Sequence, residues 1–279
     1  MLVEFRNDAI HLSATSRPTG APTVNHRERD MERQPVYVIL GGSGGIGSAT
    51  ARRVAAIGAT VALAARNAER LQRVADELGG ALTATIDATK LAEVEAFVRS
   101  VAEAHGGVEG IVNCVGSILL KAAHQTTEDE WRDTIAANLD SAFATVRAGA
   151  RVMGRSGGSI VLMSSSAARV GLPSHEAIAA AKAGIIGLAR SAAATYAGKG
   201  IRINAVAPGL VDTPMSAGIT GNELMLKAST AMHPLGRIGN AEEIASVISW
   251  LLSEAASWVT GQVIGIDGGL SAVRAKASA

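Results

Sequence analysis

Val36-Tyr37-Val38-Ile39-Leu40-Gly41-Gly42-Ser43-Gly44-Gly45-Ile46-Gly47 begins the first regular pattern in the chain. An apolar run of strand length is followed at once by glycines spaced Gly41-x3-Gly45-x-Gly47, and then by residues at helical spacing. Glycine lets a backbone turn close tightly against a ligand. The free amides and positive dipole end of the helix that follows favour an anion, above all a pyrophosphate. Glycines alone also serve ordinary turns, so it is the strand, turn and helix context that makes this one a nucleotide cradle. Gly41, Ser43, Gly45, Ile46 and Gly47 are its candidate residues.

Outward from this turn, short Val/Ile/Ala/Leu runs alternate with longer helical segments. Strands are predicted at 36–40, 60–65, 81–86, 109–114, 158–163, 201–206 and 262–266, and helices at 45–57, 68–79, 90–104, 128–152, 177–197 and 241–253. Thr127 ahead of Glu128 and Glu130 reads as a helix start. Such alternation implies right-handed crossovers and a doubly wound parallel sheet of the Rossmann type, an α/β fold in one domain over 35–272. Residues 1–34 lack periodicity and read as a disordered tail, with Met31 as an alternative start, and 273–279 form a C-terminal tail. Segment 213–235, with Met215, Leu224, Met225 and Met232, breaks the alternation and reads as a mobile flap over a ligand cleft.

Composition narrows the function classes. The chain has 279 residues, 48% of them apolar but only 3% aromatic, which suits a parallel sheet sandwiched between helices. A formal charge of +1 gives no overall field to hold nucleic acid or anionic lipid. Cys114 is the one cysteine, so no internal disulfide forms, and a reducing cytoplasmic location is expected. No uninterrupted apolar run approaches the roughly 20 residues of a membrane span, and a soluble protein with no membrane partner is expected. The six histidines show no ligand spacing, and no metal site is predicted.

At the end of the second predicted strand the chain reads Ala64-Ala65-Arg66-Asn67, with no carboxylate to receive a ribose 2′-hydroxyl. Arg66 offers a planar fork for a 2′-phosphate instead. NADP(H) is therefore the preferred cofactor, with NAD(H) the other nucleotide such a fold accepts.

The chain closely resembles the short-chain dehydrogenase/reductase family, especially members similar to 3-oxoacyl carrier-protein reductases. The resemblance runs from about residue 35 to about 272. It is carried by the glycine turn, Asp87, Asn113-Cys114-Val115-Gly116, Asn138-Leu139, Ser165, Lys182-Ala183-Gly184, Asn204-Ala205-Val206-Ala207-Pro208-Gly209, Thr213, Pro234-Leu235-Gly236-Arg237 and Asp267-Gly268-Gly269. It implies that Asp87 meets the adenine and that Asn113 and Gly116 lie along the cofactor. It further implies that Pro208, Gly209 and Thr213 hold the nicotinamide end. Homodimers or homotetramers through the 128–152 and 177–197 helices are implied as well.

The family's reaction is hydride transfer between a nicotinamide and an alcohol/carbonyl pair. A tyrosine supplies the proton, a lysine four residues later lowers its pKa and binds ribose, a serine positions the carbonyl oxygen, and an asparagine supports a relay water. Ser165, Lys182 and Asn138 match three of these roles. The fourth falls on Ile178, four residues before Lys182 and thirteen after Ser165, and an isoleucine transfers no proton. Of the two tyrosines, Tyr37 and Tyr196, neither is placed to substitute.

Three other donors stay open: His175 or its neighbour Glu176, Ser165 through water, and Lys182 itself. Leu40 replaces a threonine that braces the turn, and Cys114-Val115 replaces Asn-Ala. Cys114 itself reads as a small buried hydrophobe. The leading expectation is an NADP(H)-dependent oxidoreductase interconverting a carbonyl and a secondary alcohol on an apolar small molecule. A nucleotide-binding regulatory subunit without activity and a non-redox lyase or isomerase are the alternatives.

Overall fold

The computed structural model describes residues 34–154 and 156–274. The expectations for a tail over residues 1–33, for a start at Met31 and for 275–279 lie outside the described residues.

The glycine turn joins strand β1 (Val36–Leu40) to helix α1 (Gly45–Ala55). Then follow β2 (Thr60–Ala65), α2 (Ala68–Glu77), β3 (Leu82–Thr85), α3 (Leu91–His105) and β4 (Gly110–Asn113). Helices α4 (Glu128–Ile135) and α5 (Ser141–Val152) lead to β5 (Gly158–Met163), α6 (Glu176–Tyr196) and β6 (Ile201–Pro208). After β7 (Val211–Asp212), α7 (Ala217–Thr220) and α8 (Glu223–Met232) come β8 (Gly239–Asn240), α9 (Ala241–Leu252) and β9 (Val263–Ile266). Seven strands form one parallel sheet in the order β3-β2-β1-β4-β5-β6-β9, and β7 pairs with β8 in a small ladder of its own.

Alternation within each buried strand builds two cores. Val36, Val38 and Leu40 of β1 join Ile111, Ile160 and Ile203 beneath α3, α5 and α6. Tyr37 and Ile39 point the other way, with Leu63, Val112 and Val161, beneath α1, α2 and α9. The strand order reverses between β1 and β4, and in such sheets the crevice beyond the carboxyl ends at that reversal receives ligands.

Helix α6 and the turn after it, Glu176–Lys199, are long and apolar enough to cross a membrane by length and composition. Its Ala177, Ala181, Ile185 and Ala189 are nevertheless buried against the sheet, and Lys182 and Arg190 interrupt the apolar run.

One expectation is corrected. The predicted single helix over 128–152 is interrupted by a π-helical stretch, Ala136–Asp140, between α4 and α5. Side-chain bonds run alongside this widened turn: Asn138 Nδ2 donates to Thr134 O at 2.8 Å, and Ser141 Oγ to Ala137 O at 2.8 Å. Segment 213–235, read as a flap, holds α7 and α8. Its Leu224 is 80% exposed, and Leu224, Met225 and Met232 stay out of the cleft that Met215 lines. The predicted start at Thr127 is observed, with a capping box to Glu130.

Candidate active site

A cleft of about 940 Å³ runs along the carboxyl ends of the strands, from Arg66 past the glycine turn to Lys182 and Met215. Its floor requires glycine. Gly41 has φ +80°, and a Cβ there would lie 2.8 Å from the Cys114 carbonyl carbon across the β1/β4 reversal. A Cβ on Gly45 would fall 2.8 Å from Thr213 Cγ2, and one on Gly47 would collide with Gly41 O. Gly44 caps α1 without a side-chain hydrogen bond, and the first turn holds no acidic residue. The first-turn amides of Gly45, Ile46 and Gly47 have no acceptor within their helix, and all three residues line the cleft. A cradle emptied of side chains and lined with free amides fits a pyrophosphate.

The turn is held from β2: Gly41 N and Gly42 N both donate to Ala64 O, at 2.7 and 3.1 Å. Arg66 and Arg70 line the end of the cleft beyond β2, beside Asp87. Arg70, absent from the sequence prediction, arrives there because Asn67 caps α2 by accepting from Arg70 N at 2.8 Å. Asp87 Oδ1 accepts from Thr89 N and Oγ1 at 3.0 and 2.8 Å. These bonds hold its carboxyl below the ordinary range, with Lys90 and Arg66 adding to the effect.

At the other end, β5 and α6 are tied together around Lys182. Its ammonium donates to Met163 O at 2.8 Å, and its own carbonyl accepts from Ser164 Oγ at 2.9 Å. Lys182 is 7% exposed, and burial lowers its pKa to about 8. Ser165 lines the cleft and accepts from Ala167 N at 3.1 Å. Ile178, one helical turn before Lys182, is buried and also lines the cleft. Cys114 lies beside this region, its thiol pushed up to about 12 by burial, which makes it a poor nucleophile.

Gly116, Pro208, Gly209 and Thr213 line the cleft, and Thr213 heads a capping box with Ser216. Four predicted residues do not line it. Asn113 turns inward, its Nδ2 donating to Ser141 and Thr145 hydroxyls at 3.2 and 3.0 Å while Oδ1 accepts from Val115 N at 2.8 Å. It therefore braces the loop after β4. Asn138 is spent in the same way: Nδ2 donates to Thr134 O and to Ser117 Oγ, and Oδ1 accepts from Ser117 N at 3.3 Å. Its side chain fixes the Gly116–Ser117 loop. His175 stands at the N-cap position of α6 without a side-chain capping bond, its Nδ1 2.7 Å from Pro173 O, and both it and Glu176 lie outside the cleft.

Ser117, Ser164 and His233 went unpredicted. His233 is buried, with Nδ1 2.7 Å from Ser229 O while Nε2 accepts from Leu210 N at 3.1 Å, so α8 is tethered to the turn after β6.

Known proteins resemble the chain in sequence and fold. A sequence profile described as enoyl-(acyl carrier protein) reductase matches residues 41–271. The chain is 38% identical to the cis-4-hydroxycyclohexanecarboxylate dehydrogenase of Sinomonas cyclohexanicum, over 85% of this chain and 97% of that one. It is 36% identical to the 3-oxoacyl-(acyl-carrier-protein) reductase of Thermotoga maritima, over 84% and 97%. The chain belongs to the short-chain dehydrogenase/reductase family. Among solved structures, a variant of the actinorhodin polyketide ketoreductase with NADPH superposes with a TM-score of 0.80 at 30% identity, covering 86% of this chain and 98% of that one. The cleft of this family member thus lies where the strand order places it.

Proposed function

We propose that the protein is an NADP(H)-dependent oxidoreductase that interconverts a carbonyl and a secondary alcohol on an apolar small molecule, with a group other than tyrosine moving the proton. One observation carries the reading: a single cleft joins a glycine cradle to a buried, cleft-lining lysine. When bound, the nicotinamide supplies or takes the hydride.

The chain's own residues do the rest. The Gly41–Gly47 amides receive the pyrophosphate, Arg66 and Arg70 the 2′-phosphate, Asp87 and its neighbours the adenine end, and Pro208, Gly209 and Thr213 the nicotinamide end. NADPH in the actinorhodin ketoreductase structure supports this preference. Ile118, Met163, Ile178, Leu210 and Met215 give the reaction end apolar walls, which favours an apolar substrate. Ser165 presents a hydroxyl to the carbonyl oxygen. Ile178 stands where the family's tyrosine is expected, and Tyr37 and Tyr196 are absent from the cleft lining.

Homodimers or homotetramers through α4, α5 and α6 are part of the proposal, supported by Trp131 and Phe143, 43% and 47% exposed on α4 and α5. Cytoplasmic placement rests on the free thiol of Cys114.

The test is a panel of ketones and secondary alcohols assayed with NADPH and NADP⁺, alongside equilibrium binding of both nucleotides. The reading predicts turnover with an apolar member of the panel. Tight NADPH binding without turnover on any member would support the regulatory-subunit reading instead.

A further inference from the structure

Ile178 leaves the reaction end of the cleft without a phenol, and few proton sources remain there. The ionisable side chains lining the cleft, among the described residues, are Arg66, Arg70, Asp87, Cys114 and Lys182. The first three follow β2 and β3, at the far end from Ser165. Cys114 holds its proton up to about 12, far from a working pH. The hydroxyls of Ser117 and Ser165 can relay a proton, but neither changes charge near neutrality.

Lys182 differs from all of these. An ammonium carries three N–H donors, and one is committed to Met163 O. No carboxylate pairs with it among the described residues. A Cβ on Gly116 would lie only 3.3 Å from Nζ, so the amine faces a wall that has no side chain. Ile178 and Lys182, four residues apart, share one face of α6, and both line the cleft.

We propose that the Lys182 ammonium is itself the proton donor to the carbonyl oxygen, a role that rests on the oxidoreductase reading above. In the reductive direction the carbonyl carbon gains a hydride from the reduced nicotinamide, and the C=O π pair moves onto oxygen. That oxygen takes a proton from Nζ, directly or through one water, and an O–H bond forms as an N–H bond breaks. Lys182 is left as a neutral amine and regains its proton from solvent. In the oxidative direction the neutral amine removes the hydroxyl proton. Burial prepares Lys182 for both, since it brings the ammonium to about 8, with Cys114 the titratable side chain that faces it.

Two measurements on the wild-type protein, with NADPH bound, test this. Lysines carrying ¹³C at Cε report the titration of Lys182 by NMR, its signal assigned by loss in Lys182→Arg. Single-turnover reduction of an accepted ketone is followed over the same pH range. The expected NMR midpoint is near 8, and the reduction rate falls about tenfold per pH unit above that midpoint. Lys182→Arg keeps a cation near Met163 O but releases no proton in this range. It is expected to bind NADPH within about tenfold of wild type and to lose about 10²–10⁴ in single-turnover rate, together with the pH dependence.

A Lys182 midpoint near the ordinary value of about 10.4 would overturn the proposal. So would a rate that stays level through the NMR midpoint, or Lys182→Arg reducing at the wild-type rate. In those cases reduction still occurs, and the oxidoreductase reading stands. Wild-type protein that binds NADPH and reduces nothing would overturn both.

Discussion

The Lys182 ammonium donates to the carbonyl oxygen of Met163 at 2.8 Å, binding the middle of α6 to the last residue of β5. This contact keeps a charged group at the sheet's carboxyl edge, where burial works against it. A charge held in such a place costs stability, and its removal has a calculable sign.

Lys182→Met is expected to stabilise the protein at pH 7. The unfolded chain holds the lysine proton up to about 10.5 and the folded chain only to about 8. Between these values the unfolded state binds more protons, so wild-type stability rises with pH across that window. Below about 8 the penalty is present in full, about 3 kcal/mol by linkage, offset by about 1–3 kcal/mol for the buried Met163 carbonyl that loses its donor, so the net gain is at most about 2 kcal/mol. Urea unfolding at pH 7 and pH 10 should show the variant ahead at pH 7 and its advantage shrinking at pH 10. A variant less stable than wild type at pH 7 would contradict the account.

Gly47→Ala places a methyl group into Gly41 O, at the closest approach in the cradle. The turn has to open, at a cost of about 1–3 kcal/mol, and the amides lose their common aim. Thermal melts should show a lower Tm, and fluorescence titration should show NADPH affinity reduced more than tenfold. Unchanged affinity would mean that the turn does not hold the pyrophosphate.

The inner strands were legible in the sequence because a strand buried on both faces is written as a short apolar run, unlike the largely exposed edge strand β3. β1, β2 and β5 match their predicted bounds residue for residue. The π-helical stretch was not legible, since one widened turn leaves the apolar spacing of 128–152 nearly unchanged. Asn113 and Asn138 were found as polar residues near the site, but sequence spacing does not tell which way an amide points. Both turn inward to satisfy backbone and hydroxyl groups. Arg70 had a usable signal, being the third residue after an Asn cap at the end of β2. His233 had none, because its partner Leu210 N lies 23 residues away.

Arg66→Ser should separate the two nucleotides. A charge-assisted bond to a 2′-phosphate is worth about 1.5–3 kcal/mol, so NADPH affinity should fall about 10–100-fold while NADH affinity changes little. Isothermal titration with both nucleotides is the check. An equal loss for both would assign Arg66 to the shared part of the cofactor.

Asn138→Leu removes the side-chain bond to Thr134 O in the last turn of α4 and releases Ser117. A loss of about 1–3 kcal/mol in urea unfolding is expected from the buried hydrogen bonds that Asn138 makes to Thr134 and Ser117. Full stability would show that the widened turn needs no side-chain partner.

The most direct measurement of the central claim follows one hydrogen. Wild-type protein is given NADPH deuterated at the transferring position of nicotinamide C4 and an accepted apolar ketone, and the product is read by mass spectrometry. The account predicts an alcohol with one deuterium on the carbinol carbon, formed in step with NADPH oxidation, although Ile178 lines the cleft one turn before Lys182. A product formed without deuterium and without NADPH loss, or deuterated alcohol appearing only in Ile178→Tyr, would contradict it.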